Sequence, residues 1–176
     1  MKRTFAIPAF FVALLLCIGY GCKKDASNAI VAGKGTITAT VGGTAVNFNS
    51  AASATTSASS AASYLTITGY QGGINSSNSL ELSLTALGNL TTGVYTGTDT
   101  SHLVAFAYTQ YASGGNSNLY INQTGATTIT QVTITALSDT AVSGTFSGQV
   151  YLYNFTSNAS VPTTLPITNG QFDIKF

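Results

Sequence analysis

The residue best suited to acid–base chemistry is His102, the only histidine in the sequence. An imidazole serves as a general base when a carboxylate orients it and a hydroxyl lies within reach. Asp99 is the nearest carboxylate in sequence, whereas serine is so abundant that no single hydroxyl stands out. A hydrolase that uses His102 is therefore one alternative, and a solvated histidine at the entry of a strand is the simpler interpretation.

Paired carboxylates are a second arrangement that hydrolyses glycosides. Glu81 and Asp173 occupy outward positions of alternating segments, whereas Asp99 and Asp139 lie in turns, where aspartate commonly caps the backbone. No acidic loop gathers the carboxylates that calcium needs, and the sequence after Cys22 has no cysteine to bind zinc. We therefore expect no metal, no cofactor and no catalytic residues, with an acid pair kept as part of the hydrolase alternative.

Tyrosines beside amide side chains offer a different chemistry, because a ring can stack on a sugar while amides bind its hydroxyls. Tyr111 and Tyr120 flank the Gly114-Gly115 loop, and asparagine and glutamine residues lie nearby. Tyr108 continues the apolar face of its segment and is expected in the core. If the protein binds a glycan, Tyr111 and Tyr120 are the predicted ligand-binding residues; packing within the fold is the alternative role for these rings.

The composition is that of a folded domain with an uncharged polar surface. Only 6% of the residues are charged, so serine, threonine, asparagine and glycine must supply most of the surface, while 44% are hydrophobic, too many for a disordered chain. From Gly35 onward, one lysine faces four carboxylates, which gives a net side-chain charge of −3. A surface of this charge cannot neutralise phosphates, which argues against nucleic-acid binding.

The N-terminus has the layout of a secretory signal peptide. Met1-Lys2-Arg3 is a short basic region, and Thr4 to Tyr20 is nearly all apolar. An apolar run of this length that ends directly at a cysteine fits a cleaved signal better than a membrane-spanning helix, although an uncleaved anchor is the alternative. We expect residues 1–21 to be removed as the signal peptide.

The end of that run resembles the lipobox of bacterial lipoproteins. Gly21-Cys22 matches the pattern, whereas Gly19 and Tyr20 depart from it. The resemblance implies that Cys22 becomes the lipidated first residue and that its acyl chains hold the protein at the membrane. Residues 22–34 are mostly small and polar and read as a flexible tether. The charged start of that tether is similar to lipoproteins displayed on the cell surface in Bacteroidota.

From Gly35 onward the apolar residues recur with a period of two, which predicts strands and no helix. Thr36 to Val41 and Ala45 to Phe48 read as a hairpin across Gly42-Gly43, and Leu80 to Leu84 and Val104 to Tyr108 alternate clearly. About nine to eleven short strands with turn signals at this spacing favour an antiparallel β-sandwich, chosen here over a barrel. We expect residues 35–176 to form one such all-β domain.

Two segments carry more specific expectations. Asn169-Gly170 is a favoured pair for a tight turn, so residues 166–176 are predicted to form a last hairpin with Phe172, Ile174 and Phe176 facing the core. Ser50 to Ser63 contains only serine, alanine and threonine, and is interpreted as a loose loop rather than a flat strand.

The segments together resemble the small β-sandwich lipoprotein domains of Bacteroidota, a group of unknown function. The likeness covers most of the chain after the tether and rests on strand and turn segments, namely Thr38 to Ala45, Leu65 to Gly69, Gly93 to Tyr95, Val142 to Gly148 and Ile167 to Asp173. It implies an all-β fold and an envelope location, and it supplies no functional residues.

Asp139-Thr140-Ala141 is similar to the O-glycan acceptor sites of exported Bacteroidota proteins, which makes Thr140 a candidate acceptor; an ordinary aspartate turn is the alternative. Taken together, the sequence predicts a lipid-anchored outer-membrane protein, on the periplasmic or the surface face, with a non-catalytic binding or structural role. The expected contacts are the membrane through the lipid and a glycan or another envelope protein. A lectin-like module and a hydrolase are the two alternatives.

Overall fold

The computed structural model describes residues 35–59, 61–74, 77–99, 101–112, 117–123, 129–155 and 158–176. Every regular element in these residues is a β-strand, and the eleven strands pair antiparallel, which confirms the predicted fold class. None of the described residues belongs to a helix that is long and apolar enough to span a membrane. The predicted signal peptide, residues 1–21, and the predicted tether, residues 22–34, lie outside the described residues.

The strands follow the alternating segments along the chain. Their bounds are β1 Gly35–Val41, β2 Thr44–Asn47, β3 Ser53–Ala58, β4 Ala62–Tyr70, β5 Ser79–Leu87, β6 Gly93–Thr96, β7 His102–Tyr111, β8 Ser117–Ile121, β9 Gln131–Ser138, β10 Ala141–Asn154 and β11 Ala159–Lys175. The predicted β1–β2 hairpin is present, and both of its turn residues, Gly42 and Gly43, have positive φ.

One hydrogen-bonded path, β2-β1-β11-β10-β8-β7-β5-β4-β3, runs through the sheet. The long strand β10 pairs with β11 along one edge and with two strands along the other, because its first half binds β9 and its second half binds β8. Strand β6 pairs with β9 and extends the sheet on that side. The sheet also folds back on itself in a sandwich-like way. Phe48, just after β2, places its ring 6.3 Å from that of Tyr108 on β7, although several strands separate them along the path.

The interior of this folded sheet is a single cluster of alternate residues from ten of the strands. Its largest fully buried side chains include Phe48, Phe106, Ile37, Leu65 and Ile174. Burying such side chains supplies about 1.5–3 kcal/mol each, so this continuous apolar face is the main stabilising term of the fold.

Three phenylalanine rings in this core lie over three glycines. Gly144 stands directly opposite Phe172 across β10 and β11, and Phe146 stands directly opposite Gly170. A Cβ added at Gly144 would lie 2.6 Å from the Phe172 ring, one at Gly170 would lie 2.5 Å from the Phe146 ring, and one at Gly148 would lie 3.3 Å from the Phe106 ring. The glycines therefore make the space in which the rings pack, and the rings cover backbone that glycine leaves bare.

The interpretation of Ser50 to Ser63 as a loop is wrong. Ser53–Ala58 forms β3, which pairs with β4 from Ser53 opposite Thr68 to Ala58 opposite Ser63. Hydrogen bonds to the backbone of β4 make this segment a strand, although its side chains do not alternate clearly between apolar and polar. Ala52 is fully buried, and Ala54 packs against the core. Strand β3 is the edge strand beside β4, and most of its small side chains are exposed.

The predicted hairpin at Asn169-Gly170 is also wrong. Strand β11 continues through this pair, because its residues on both sides bind β10, with Pro166 opposite Gln149 and Gln171 opposite Thr145. The positive φ expected for a turn is present at Asn169, at 52°, but it serves a β-bulge that accommodates one extra residue in β11. Phe172 and Ile174 face the core as predicted, whereas Phe176 is 44% exposed.

Replacing Gly144 by alanine should destabilise the protein by about 2–3 kcal/mol, because the new methyl group would collide with the backbone carbonyl of Thr133 and with the Phe172 ring. Urea denaturation followed by circular dichroism measures this loss. Ser147→Ala is the matched control, since Ser147 lies on the same strand with an exposed side chain. Equal stability of the Gly144→Ala variant and the wild type would show that the glycine–phenylalanine pairs do not constrain the core.

Candidate functional site

The two predicted ligand-binding tyrosines are not equivalent. Tyr120 lies in the core with 6% of its surface exposed, 6.1 Å from the ring of Tyr108, which is buried as predicted. Its hydroxyl donates to Oε1 of Gln110 at 3.4 Å. The expectation that Tyr120 presents a free stacking ring is wrong, because its position opposite Tyr108 turns it towards the interior.

Tyr111 remains available at the surface. It ends β7 opposite Ser117, on the outward register, and is 38% exposed. Its backbone N–H donates to Oδ1 of Asn78 at 2.8 Å, which fixes the end of the strand. The Gly114-Gly115 loop that Tyr111 was predicted to flank lies outside the described residues.

A further group of aromatic side chains lies on the outward face of β10. Tyr151 stands opposite Ile121 of β8, and Tyr153 follows on the same face. The Tyr153 ring packs edge-on against Phe155 at 5.1 Å, its hydroxyl donates to Oδ1 of Asn158, and Phe155 is 66% exposed. The edge-to-face contact and the hydrogen bond hold these two rings together at the surface.

These exposed rings belong to one end of the sheet. Strand β8 lies between β7 and β10, and the pairing of Ser117 with Tyr111 and of Ile121 with Tyr151 sets the direction of all three strands. Tyr111, Tyr153 and Phe155 therefore lie towards the same end of neighbouring strands, and we call these three residues the aromatic end. The lateral separation of β7 and β10 is about 10 Å, because one strand lies between them and adjacent strands are about 4.8 Å apart.

His102 begins β7 and contacts two polar neighbours. Its Nδ1 lies 3.1 Å from Oδ2 of Asp99 and 3.0 Å from Oγ of Ser101, and its ring packs edge-on against Tyr95 at 4.8 Å. A Ser-His-Asp relay needs the hydroxyl and the carboxylate on opposite ring nitrogens, whereas here both approach the same nitrogen. The group is therefore a capped turn preceding a strand, in which Ser101 donates to Asp99 through its hydroxyl and its backbone N–H.

The carboxylates do not form a pair for hydrolysis in the described structure. Glu81 stands opposite Thr68 and Ala107, and Asp173 stands opposite Ser143 and Thr36, so neither faces another acid across the sheet. Partial burial raises the pKa of Glu81 above its usual value. The hydrogen bonds from the Ser101 hydroxyl and backbone N–H lower the pKa of Asp99. Among the described residues, no three acids, histidines or cysteines come together as a metal site would require.

Thr140 lies in the tight turn between β9 and β10, with its side chain exposed. Its backbone N–H donates to the hydroxyl of Ser138, and its carbonyl accepts from the N–H of Phe176. The side chain of Thr140 is exposed, and its hydroxyl lies 3.4 Å from that of Ser138.

One depression in the surface was not anticipated from the sequence. It has a volume of about 210 Å³ and lies over β1, β2 and the bulge of β11, where Thr38, Thr40, Asn47 and Asn169 line it. The Asn169-Gly170 pair was noticed as a turn signal, but a bulge uses the same backbone conformation, so the sequence could not reveal that Asn169 faces two other strands.

Comparison of the chain with protein-family models, with curated proteins and with solved structures found no match. Function must therefore be argued from the geometry of these residues and from the sequence of the N-terminus.

The opposite pKa shifts of Glu81 and Asp99 give a test of their surroundings. The folded protein holds a proton at Glu81 more tightly than the unfolded chain does, so its free energy of unfolding falls as the pH rises above the usual value of 4.5. Glu81→Gln should therefore be more stable than the wild type at neutral pH, and the difference should shrink below pH 4.5. Thermal melts over a pH series measure both variants and the wild type.

Asp99→Asn is the control with the opposite sign. The lowered pKa of Asp99 stabilises the fold above the usual value of 3.8, so the variant should be less stable at neutral pH, with a difference that disappears as the pH falls below 3.8. A Glu81→Gln variant that is less stable than the wild type at neutral pH would show that Glu81 has a favourable partner.

Proposed function

We propose that the protein is a lipid-anchored protein of the outer membrane whose β-domain has a non-catalytic binding role. The observation that carries the binding role is the aromatic end, where Tyr111 and Phe155 expose their rings and the half-buried Tyr153 packs against Phe155, on a domain with few charges. Adjacent exposed rings mark surfaces that bind partners, because aromatic side chains are enriched where proteins meet.

The anchor is proposed from the sequence. The basic start, the apolar run and the Gly21-Cys22 junction support cleavage after residue 21 and acylation of Cys22. Two or more acyl chains hold a protein stably at a bilayer, so the β-domain needs no membrane contact of its own. The proposed tether of residues 22–34 then lets the domain reach a glycan or another envelope protein, on the periplasmic or the surface side.

The arrangement around His102 favours this role over the hydrolase alternative. The hydroxyl of Ser101 is committed to Asp99 at 2.6 Å, and both groups approach the same nitrogen of His102. These three residues therefore do not form the relay in which the carboxylate orients the imidazole through the ring nitrogen opposite the serine.

Changing Cys22 to alanine should move the protein out of the membrane fraction or leave it with an unprocessed N-terminus, because the thiol that carries the acyl chains is lost. Cell fractionation, combined with mass spectrometry of the N-terminal peptide, measures both properties. Cys17→Ala is the matched control, since Cys17 lies inside the apolar run. Membrane association of the Cys22→Ala and wild-type proteins with the same unprocessed N-terminus would contradict the proposed anchor.

Glycan binding is the second candidate function, and the exposure of the Tyr111 and Phe155 rings at one end of the sheet favours it. A ring that is free at the surface can stack on the apolar face of a sugar, while side-chain amides bind the hydroxyls. The candidate stacking residues become Tyr111 and Phe155, since Tyr120 is buried.

If the aromatic end binds a glycan, Tyr111→Ala and Phe155→Ala should each weaken binding about ten-fold, which corresponds to the loss of about 1.4 kcal/mol. A glycan array identifies the ligand, and titration calorimetry with that glycan measures the affinities. Tyr64→Ala is the matched control, because Tyr64 is a comparably exposed tyrosine on β4. Loss of binding in the Tyr64→Ala variant, with unchanged binding in the other two, would rule out the aromatic end.

A further inference from the structure

The depression over β1, β2 and β11 has a lining made of neutral polar groups. Thr38 and Thr40 contribute hydroxyls from β1, Asn47 contributes an amide from β2, and Asn169 contributes an amide from β11. Ala45 and the backbone of neighbouring residues supply the rest of the surface. Its volume of about 210 Å³ is below the roughly 300–1,000 Å³ of pockets for drug-sized ligands, so it suits a group no larger than a single sugar ring.

The bulge in β11 brings the second amide to this position. Thr38 pairs with Gln171 and Thr40 with Thr168, so one residue of β1 faces two residues of β11, Asn169 and Gly170. Bulges redirect side chains, and they are frequent beside functional sites. Asn169 has a φ of 52°, a conformation that asparagine adopts more readily than other residues with side chains, so the bulge can carry an amide at this position.

The side chains of Thr38, Thr40, Asn47 and Asn169 make no hydrogen bond with the residues that the structure describes. Other asparagines of the domain have clear structural roles. Asn49 accepts from the N–H of Ile37 at 2.6 Å, and Asn122 bridges the backbone of Phe106 and Val104. Asn47 and Asn169 have no such role in the described part of the chain, which leaves their amides available to a ligand.

We infer that this depression is a binding site for a neutral saccharide. Each amide offers a donor and an acceptor, and each threonine hydroxyl can act as either, which matches the alternating donors and acceptors of sugar hydroxyls and acetamido groups. No charged side chain lines the depression, so an anion or a cation would lose its hydration without a counter-charge. The small methyl groups of Ala45, Thr38 and Thr40 leave space for a ring without an aromatic platform.

This site is separate from the aromatic end and depends neither on it nor on the lipid anchor. Its lining residues belong to β1, β2 and β11, whereas the aromatic end belongs to β7 and β10. A short peptide is the competing ligand, because its backbone amide groups can also form hydrogen bonds with the asparagine side chains. The site offers it only individual side chains and the four-residue strand β2, which is a short edge on which to add a further strand.

Nuclear magnetic resonance titration of the full-length, isotope-labelled protein in detergent tests the inference. The probes are methyl glucoside, methyl mannoside and chitotriose, with tetra-alanine as the neutral peptide. At least one saccharide should produce saturable shifts at the side-chain amides of Asn47 and Asn169 and at the N–H groups of Thr38 and Thr40. Absence of such shifts with every saccharide, or larger shifts with the peptide, would overturn the inference.

Variants separate a specific site from a general surface effect. Asn169→Gly keeps a residue that accepts positive φ, and Asn169→Asp keeps the volume but introduces a charge. Each variant, and Asn47→Ala, should weaken the binding of that saccharide about ten-fold with an otherwise unchanged spectrum. Asn89→Ala is the matched control, since Asn89 is an exposed asparagine remote from the depression in sequence. Because the shifts are read at Asn47, Asn169, Thr38 and Thr40, failure of this site and failure of the aromatic end give different results.

Discussion

The packing of Phe106, Phe146 and Phe172 over glycines is the constraint on which the folded sheet depends. The Phe106 and Phe146 rings meet edge-on at 5.8 Å, and the Phe146 and Phe172 rings stack at 6.4 Å. These contacts join β7 to β10 and β10 to its neighbour β11, so the three rings form a continuous part of the core. Because Gly144 and Gly170 stand opposite the rings, a wide aromatic side chain fits where the strands are only one backbone spacing apart.

The sequence predicts those parts of the fold whose pattern is visible within a single strand. Strict alternation, as in Leu80 to Leu84, depends only on one buried face, so it is visible in a single strand. The role of Asn169 depends on the strands β1 and β10 on either side of it, and no local pattern distinguishes a turn from a bulge with the same φ. For β3 the information lies in its partner β4, because serine, alanine and threonine alone carry no contrast between faces.

For the candidate sites, the sequence could not predict which side chains are exposed, because exposure depends on how the strands pair. Tyr108 was placed correctly because it continues an apolar face, whereas Tyr120 is directly opposite Tyr108 and shares its direction, a relation that exists only once β7 and β8 are paired. The depression beside Asn47 and Asn169 joins strands that are distant in sequence, so its lining had no signature. A surface that is mostly hydroxyl and amide makes such sites hard to recognise, since the residues that bind resemble those that merely face water.

The pairing of β1 with β11 has a consequence for the order in which the domain can assemble. Gly35 pairs with Ile174 and Val41 with Ile167, so the first strand has its second neighbour at the far end of the sequence. A chain that emerges from its N-terminus can form the β1–β2 hairpin at once, yet β1 keeps an open edge until the last strand arrives. Closing so long a loop is slow, and an unpaired edge invites pairing with other chains in the meantime. Holding such a chain apart from its copies until β11 is available would therefore matter as much to its yield as the stability of the finished domain.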